Sequence, residues 1–185
     1  MSYNLKILIP KDEAILVPGK IEQFKKDAIN KAVARAVTLK LAASGEELDV
    51  RPLQNIRDFA TALDQWNTAA LAVVGTAYSV FQAVATPAIP ANKLIVFYGV
   101  GIETIPLPAS LLTFRRAAVA GNIMAQFDLE QLVNCQTQEG YFSEPIVIEP
   151  QTTFACQVTA RIAGGAARIQ LMGFAVERKG ETITA

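Results

Sequence analysis

The clearest pattern begins after Pro18-Gly19. Ile21, Phe24, Ala28, Ile29, Ala32, Val33, Ala36, Val37 and Leu39 recur there at intervals of three and four residues. That spacing lines up one face of an amphipathic α-helix of about six turns, running to a stop at Ser44-Gly45. From Glu46 to Trp66 the pattern loosens. Pro52 interrupts it, and Leu53, Ile56, Phe59, Ala60 and Leu63 keep only partial helical spacing. A short helix or an irregular connection is the expectation for this stretch.

Beyond Ala70 the chain turns to β-formers. Leu94-Ile95-Val96-Phe97-Tyr98 is a bounded apolar run, preceded by Pro87, Pro90 and Asn92 and followed by Gly99 and Gly101, which are expected to end it. A run of that length reads as a strand buried on both faces. Leu111 to Arg115, Ile123 to Leu129, and Ile146 to Ile148 between Pro145 and Pro150 predict three more short strands. Thr152 to Ile162 alternates cleanly. Phe154, Cys156, Val158, Ala160 and Ile162 share one face, and Thr153, Gln157, Thr159 and Arg161 share the other. Gly164-Gly165 then predicts a tight hairpin with positive φ angles. The return strand shifts its apolar phase to Met172, Phe174 and Val176, so Gly173 is expected at a β-bulge.

Strands without intervening helical periodicity argue against a parallel α/β sheet. The fold class expected is mainly β, an eight-stranded jelly-roll β-sandwich with an N-terminal amphipathic helical arm. Residues 1–45 would form the arm, and residues 46–185 the connection and the sandwich. A meander barrel fits the same string of strands.

Composition prunes the chemistry. The 185 residues are 51% apolar and 8% aromatic, which describes a folded domain, and they contain no histidine. Ser-His and Cys-His catalysis and imidazole metal ligation are therefore excluded. Cys135 and Cys156 make no CxxC motif; they read as two buried small residues or as one disulfide. The N-terminal sequence MSYNLKILIPKDE reads as no signal peptide, and no run of about 18 apolar residues predicts a spanning helix.

No catalytic, cofactor-binding or metal-ligating set emerges. Gly99-Val100-Gly101 follows a strand, but no third glycine arrives at the dinucleotide-binding spacing. Asp128 and Glu130, spaced i, i+2 on a predicted strand, would share a face and could hold a hard cation or act as an acid/base pair; as solvated charges at a strand end they do neither. An enzyme built on this chain would have to run on Asp128, Glu130 and Cys135.

Charge is more informative. The formal net charge is zero, with 17 cationic and 17 anionic residues. Between Lys20 and Lys40 six cations (Lys20, Lys25, Lys26, Lys31, Arg35, Lys40) face two anions (Glu22, Asp27), a local balance of +4. Ala117 to Ala160 carries Asp128, Glu130, Glu139, Glu144 and Glu149 with no Lys or Arg. Either the basic helix packs over the acidic edge of its own sandwich, or it reaches a neighbouring subunit, lipid headgroups or packaged nucleic acid.

An N-terminal helical arm, Pro-punctuated strands, the segment Tyr141-Phe142-Ser143-Glu144-Pro145-Ile146-Val147-Ile148, the Thr152 to Ile162 strand and Met172-Gly173-Phe174-Ala175-Val176-Glu177 together resemble a viral single jelly-roll structural protein. The type most similar is the small capsid proteins of tailless icosahedral bacteriophages with an internal membrane. The resemblance implies a self-assembling virion subunit, major, minor or cement, made in the host cytoplasm. Its partners would be itself and other capsid proteins, with no small-molecule substrate and no cofactor. The assembly-interface candidates are Lys25, Lys26, Lys31, Arg35, Trp66, Tyr141, Phe142 and Glu144, with Tyr98 a further aromatic anchor of core or interface. A charged fraction of only 18% fits a surface that becomes covered. The alternative is a carbohydrate- or receptor-binding β-sandwich, which predicts Trp66 and Tyr141 exposed on loops.

Overall fold

A computed structural model of the chain describes residues 5–54, 58–59, 66–81 and 85–180. Eleven strands are found among them: β1 (Leu5–Lys6), β2 (Leu8–Pro10), β3 (Leu48–Pro52), β4 (Asn67–Ala70), β5 (Ala77–Ser79), β6 (Lys93–Ile102), β7 (Ala109–Arg116), β8 (Ile123–Asp128), β9 (Glu139–Ile148), β10 (Phe154–Ala160) and β11 (Ala166–Arg178). Two helices, α1 (Lys11–Ala14) and α2 (Lys20–Thr38), lie between β2 and β3.

The strands form two sheets packed as a sandwich. One runs β1-β8-β7-β10-β5; the other runs β2-β9-β6-β11-β3, with β4 also paired to β11. The antiparallel pairings nest: β3 with β11, β5 with β10, β6 with β9, and β7 with β8. Representative partners are Val50 and Val176, Tyr78 and Val158, Val96 and Val147, and Leu112 and Phe127. Between the sheets lie Phe97, Phe114, Phe127, Phe142 and Phe154, all fully buried.

β6 is buried along both faces as its apolar run predicts, because α2 covers the outer face of its sheet. Phe24, Ala28, Ala32 and Ala36 fall at steps of four and make a buried ridge. Three alanines let the helix axis approach the sheet closely. The helix ends at Thr38, before the expected stop. Lys40 adopts φ 59°, Leu41 N–H donates to Ala36 C=O and Lys40 N–H to Val37 C=O. These are the two bonds of a Schellman cap, with lysine in the left-handed position glycine usually fills.

Several expectations are corrected. Gly99 and Gly101 do not end β6, which continues to Ile102. A Cβ on Gly99 would lie 2.6 Å from Gly140 O, so this glycine permits close approach to β9 at a register shift. Gly164-Gly165 makes no β10–β11 hairpin and neither residue has positive φ. β10 and β11 belong to different sheets, and the two glycines instead exchange backbone hydrogen bonds with Leu71. The bulge at Gly173 is present, as a register shift between Met172 and Gly173 against β6. Of the Glu46–Trp66 connection, the described part holds a 3₁₀ turn (Gly45–Glu47) and β3, with Pro52 at the end of an edge strand. The remaining residues from 55 to 65, apart from Asp58 and Phe59, lie outside the described residues. The segment expected as an arm contributes β1 and β2 to the two sheets and lays α2 over one of them.

Candidate assembly surfaces

The basic N-terminal segment meets the acidic strand β9 within one chain. Lys11 Nζ lies 2.9 Å from Glu139 Oε2, Lys31 Nζ 3.1 Å from Glu144 Oε1, and Arg35 Nε donates to Glu149 Oε1 at 2.8 Å. Lys6 pairs with the same Glu144 carboxylate, and Lys31 also donates to Pro145 C=O at 3.0 Å. Hydrogen bonds from Lys6 and Lys31 hold the Glu144 carboxyl below the usual carboxylate range. Lys31 reaches β9 and Arg35 the residue that follows it, because residues four apart share a helix face.

Magnitudes decide what this contact does. Partly exposed ion pairs contribute about 0–1 kcal/mol each, whereas burying the Phe24 side chain contributes about 2–3 kcal/mol. The apolar stripe therefore holds α2 down, and the ion pairs set its orientation. Of the remaining candidates on the helix, Lys25 turns back to Glu22 Oε1 at 2.7 Å, a bond that raises its pKa, and Lys26 is exposed.

The aromatic candidates are interior. Trp66 packs edge-on against Phe59 at 6.0 Å; Phe142 stacks on Phe127 at 4.0 Å; Tyr141 stacks between Phe24 at 5.4 Å and Tyr98 at 6.3 Å. All three candidates are buried, and half-buried Tyr98 is also covered by Phe174. None is presented on a loop for a sugar or receptor, the placement expected of Trp66 and Tyr141 in a carbohydrate-binding module.

Asp128 and Glu130 do not share a strand face. β8 ends at Asp128, whose Oδ1 accepts the Glu130 N–H at 2.8 Å, and Glu130 opens a 3₁₀ turn. Cys135 and Cys156 are both free thiols. Burial raises both pKa values, and the Asp12 and Glu13 carboxylates raise that of Cys135 further, so neither is an activated nucleophile. Among the described residues no group of three His, Cys, Asp or Glu residues is placed to hold a metal ion, and no helix is long and apolar enough to cross a membrane.

Sequence reasoning missed a buried charge cluster. Asp58 and Lys93 are both 0% exposed, with Lys93 Nζ 2.9 Å from Asp58 Oδ1 and 3.8 Å from Glu177 Oε2. Arg51 grips Asp58 with both terminal nitrogens, one at 2.9 Å from Oδ2, and donates through Nε to Glu177 Oε1 at 3.0 Å. Burial would raise the Asp58 carboxyl. Hydrogen bonds from Arg51, the Gln54 N–H and Lys93 outweigh it and hold the group below the usual range. Two cations and two anions thus join β3, β6 and β11 to the segment carrying Asp58.

No protein-family model and no curated protein matches the chain. Among solved structures, it is similar to infectious bursal disease virus of the Gx strain (TM-score 0.39, 13% identity, 73% of this chain, 34% of that one). It is likewise similar to the VP2 subviral particle of that virus (TM-score 0.39, 14% identity, 74% and 34%). A third is the enzymatically active domain of tailspike protein 4 of bacteriophage CBA120 (TM-score 0.28, 15% identity, 67% and 18%). The chain spans about a third of the length of the two viral-particle chains.

Proposed function

We propose that the chain is a self-assembling structural subunit of a virus shell, a capsid protein built on a jelly roll. The observation that carries this reading is the nested pairing of β3·β11, β5·β10, β6·β9 and β7·β8. Eight strands folded as one long hairpin, its arms alternating between two sheets, have the wiring of a jelly roll, an architecture of viral capsid domains, lectins and cupins. β1, β2 and β4 are additions to that core. The histidine ligands a cupin centre needs are missing from this sequence. Trp66 and Tyr141, the aromatics a sugar-binding face was expected to present, are buried. The charge-poor composition supports a surface meant for other subunits.

The partners are then further copies of this chain and other shell proteins, in a virion made in a host cell, and the resemblance noted in the sequence favours a bacteriophage as the virus type. Lys31 is engaged with Glu144 of β9 and Arg35 with Glu149 just after it, which favours protein over lipid headgroups or packaged nucleic acid as the contact of α2.

Negative-stain electron microscopy of the purified full chain, beside a glycan array, tests this. Closed particles or regular subunit arrays are expected. A dispersed monomer that binds a defined glycan would replace the reading with a carbohydrate-binding module.

A further inference from the structure

Exposed apolar side chains crowd into one segment. Of the ten large hydrophobics exposed among the described residues, five fall within residues 5–17: Leu5, Ile7, Ile15, Leu16 and Val17, each between 55% and 78% exposed. Leu5 belongs to β1 and Ile7 links it to β2, and each of these strands is the end strand of its sheet among the described residues. Residues 5–10 therefore cross from one sheet to the other and close that side of the sandwich.

An edge of this kind is a template for another chain unless charge, proline or a covering element blunts it. Here the two cations and Asp12 turn inward, and only Glu13 is an exposed charge, while Pro10 closes β2 and leaves Leu5 and Ile7 unblunted. Lys6 pairs with Glu144, Lys11 pairs with Glu139, and Asp12 accepts from Gln136 N–H at 2.7 Å. The segment presents apolar groups outward, while its two cations are held by the body. An anionic lipid surface or a nucleic acid would need those cations free.

We infer that the N-terminal flank, residues 5–17, is the surface on which a second copy of this chain docks. The inference rests on the reading of the chain as an assembling subunit and names the contact that assembly uses. Antiparallel pairing of this edge with itself about a two-fold axis needs no second surface, because the same patch serves both copies. Covering the five side chains on both copies would remove on the order of 1,000 Å² of surface, the lower bound for a biological interface.

Sedimentation velocity of the full chain from micromolar to millimolar concentration tests it, with Ile7→Lys and Leu16→Lys against the control variants Val73→Lys and Ile105→Lys. All four side chains are exposed, so the fold survives each change; thermal melting checks this. Expected is a tenfold or greater weakening of self-association in Ile7→Lys and Leu16→Lys, and less than a twofold change in the controls. Assembly that persists in Ile7→Lys and Leu16→Lys overturns the inference and leaves the subunit reading standing. A wild-type chain that stays monomeric throughout overturns both. Monomeric wild type that binds phosphatidylglycerol vesicles, and loses that binding in Leu16→Lys, would assign the flank to a lipid surface instead.

Discussion

Asp58→Asn is the most informative single substitution for stability. The carboxylate is fully buried, receives Arg51 and Lys93 and accepts the Gln54 N–H, so the amide would take a full negative charge away from two buried or half-buried cations. Breaking such a pair from one side costs about 3–5 kcal/mol, because the uncompensated charge stays desolvated. For a domain of this size that corresponds to a fall in Tm of roughly 6–20 °C. Urea unfolding followed by the fluorescence of Trp66, the single tryptophan, reads the loss directly. A double-mutant cycle with Lys93→Met should show at least about 1 kcal/mol of coupling. pH supplies a second readout. Asp58 ionises below its unfolded-state value, so its contribution is complete above about pH 4 and fades as pH falls toward the folded-state value. Wild type should therefore lose more stability than Asp58→Asn on acidification below about pH 4. A loss under about 1 kcal/mol in Asp58→Asn, with an unchanged acid limb, would mean that the cluster is solvated and the reasoning wrong.

Three further outcomes follow from local geometry. Gly173→Ala should destabilise by about 1–3 kcal/mol in urea unfolding, since its Cβ would sit 2.4 Å from Val96 O with β6 fixed behind it. Lys40→Gly should stabilise by about 0.5–1 kcal/mol in the same assay, because glycine takes the left-handed cap position without strain. A maleimide reagent at neutral pH should modify Cys135 slowly and Cys156 only on global unfolding; equal rates for the two would contradict the buried placement of Cys156.

The elements most legible in the sequence were those with local periodicity. The stripe from Ile21 to Leu39 and the alternation from Phe154 to Ala160 both face apolar partners in the structure. β9 was read short. Ser143, Glu144 and Pro145 look like a loop, yet the strand runs from Glu139, and its carboxylates serve the basic N-terminal segment. Gly164-Gly165 misled because a glycine pair marks a sharp change of direction without saying which strands it joins. The buried cluster was hidden for a related reason. Lys93 and Glu177 stand at strand ends, where isolated charges normally face water, and only their pairing across β6 and β11 brings them to Asp58. The helix's positive charge signalled a carboxylate partner correctly; that the partner lies on the same chain is a matter of three-dimensional placement. Nothing in the local pattern marked Leu5, Ile7 and Leu16 as exposed, since apolar residues in short strands usually point inward.

Association of the intact chain is the central claim, and its solution mass measures it most directly. Multi-angle light scattering of the 185-residue chain across concentration, at low and high salt, should give a mass above the 19.9 kDa monomer that grows with concentration. Because the proposed contact is apolar, association should persist at high salt. A mass fixed at one chain under every condition would contradict the account.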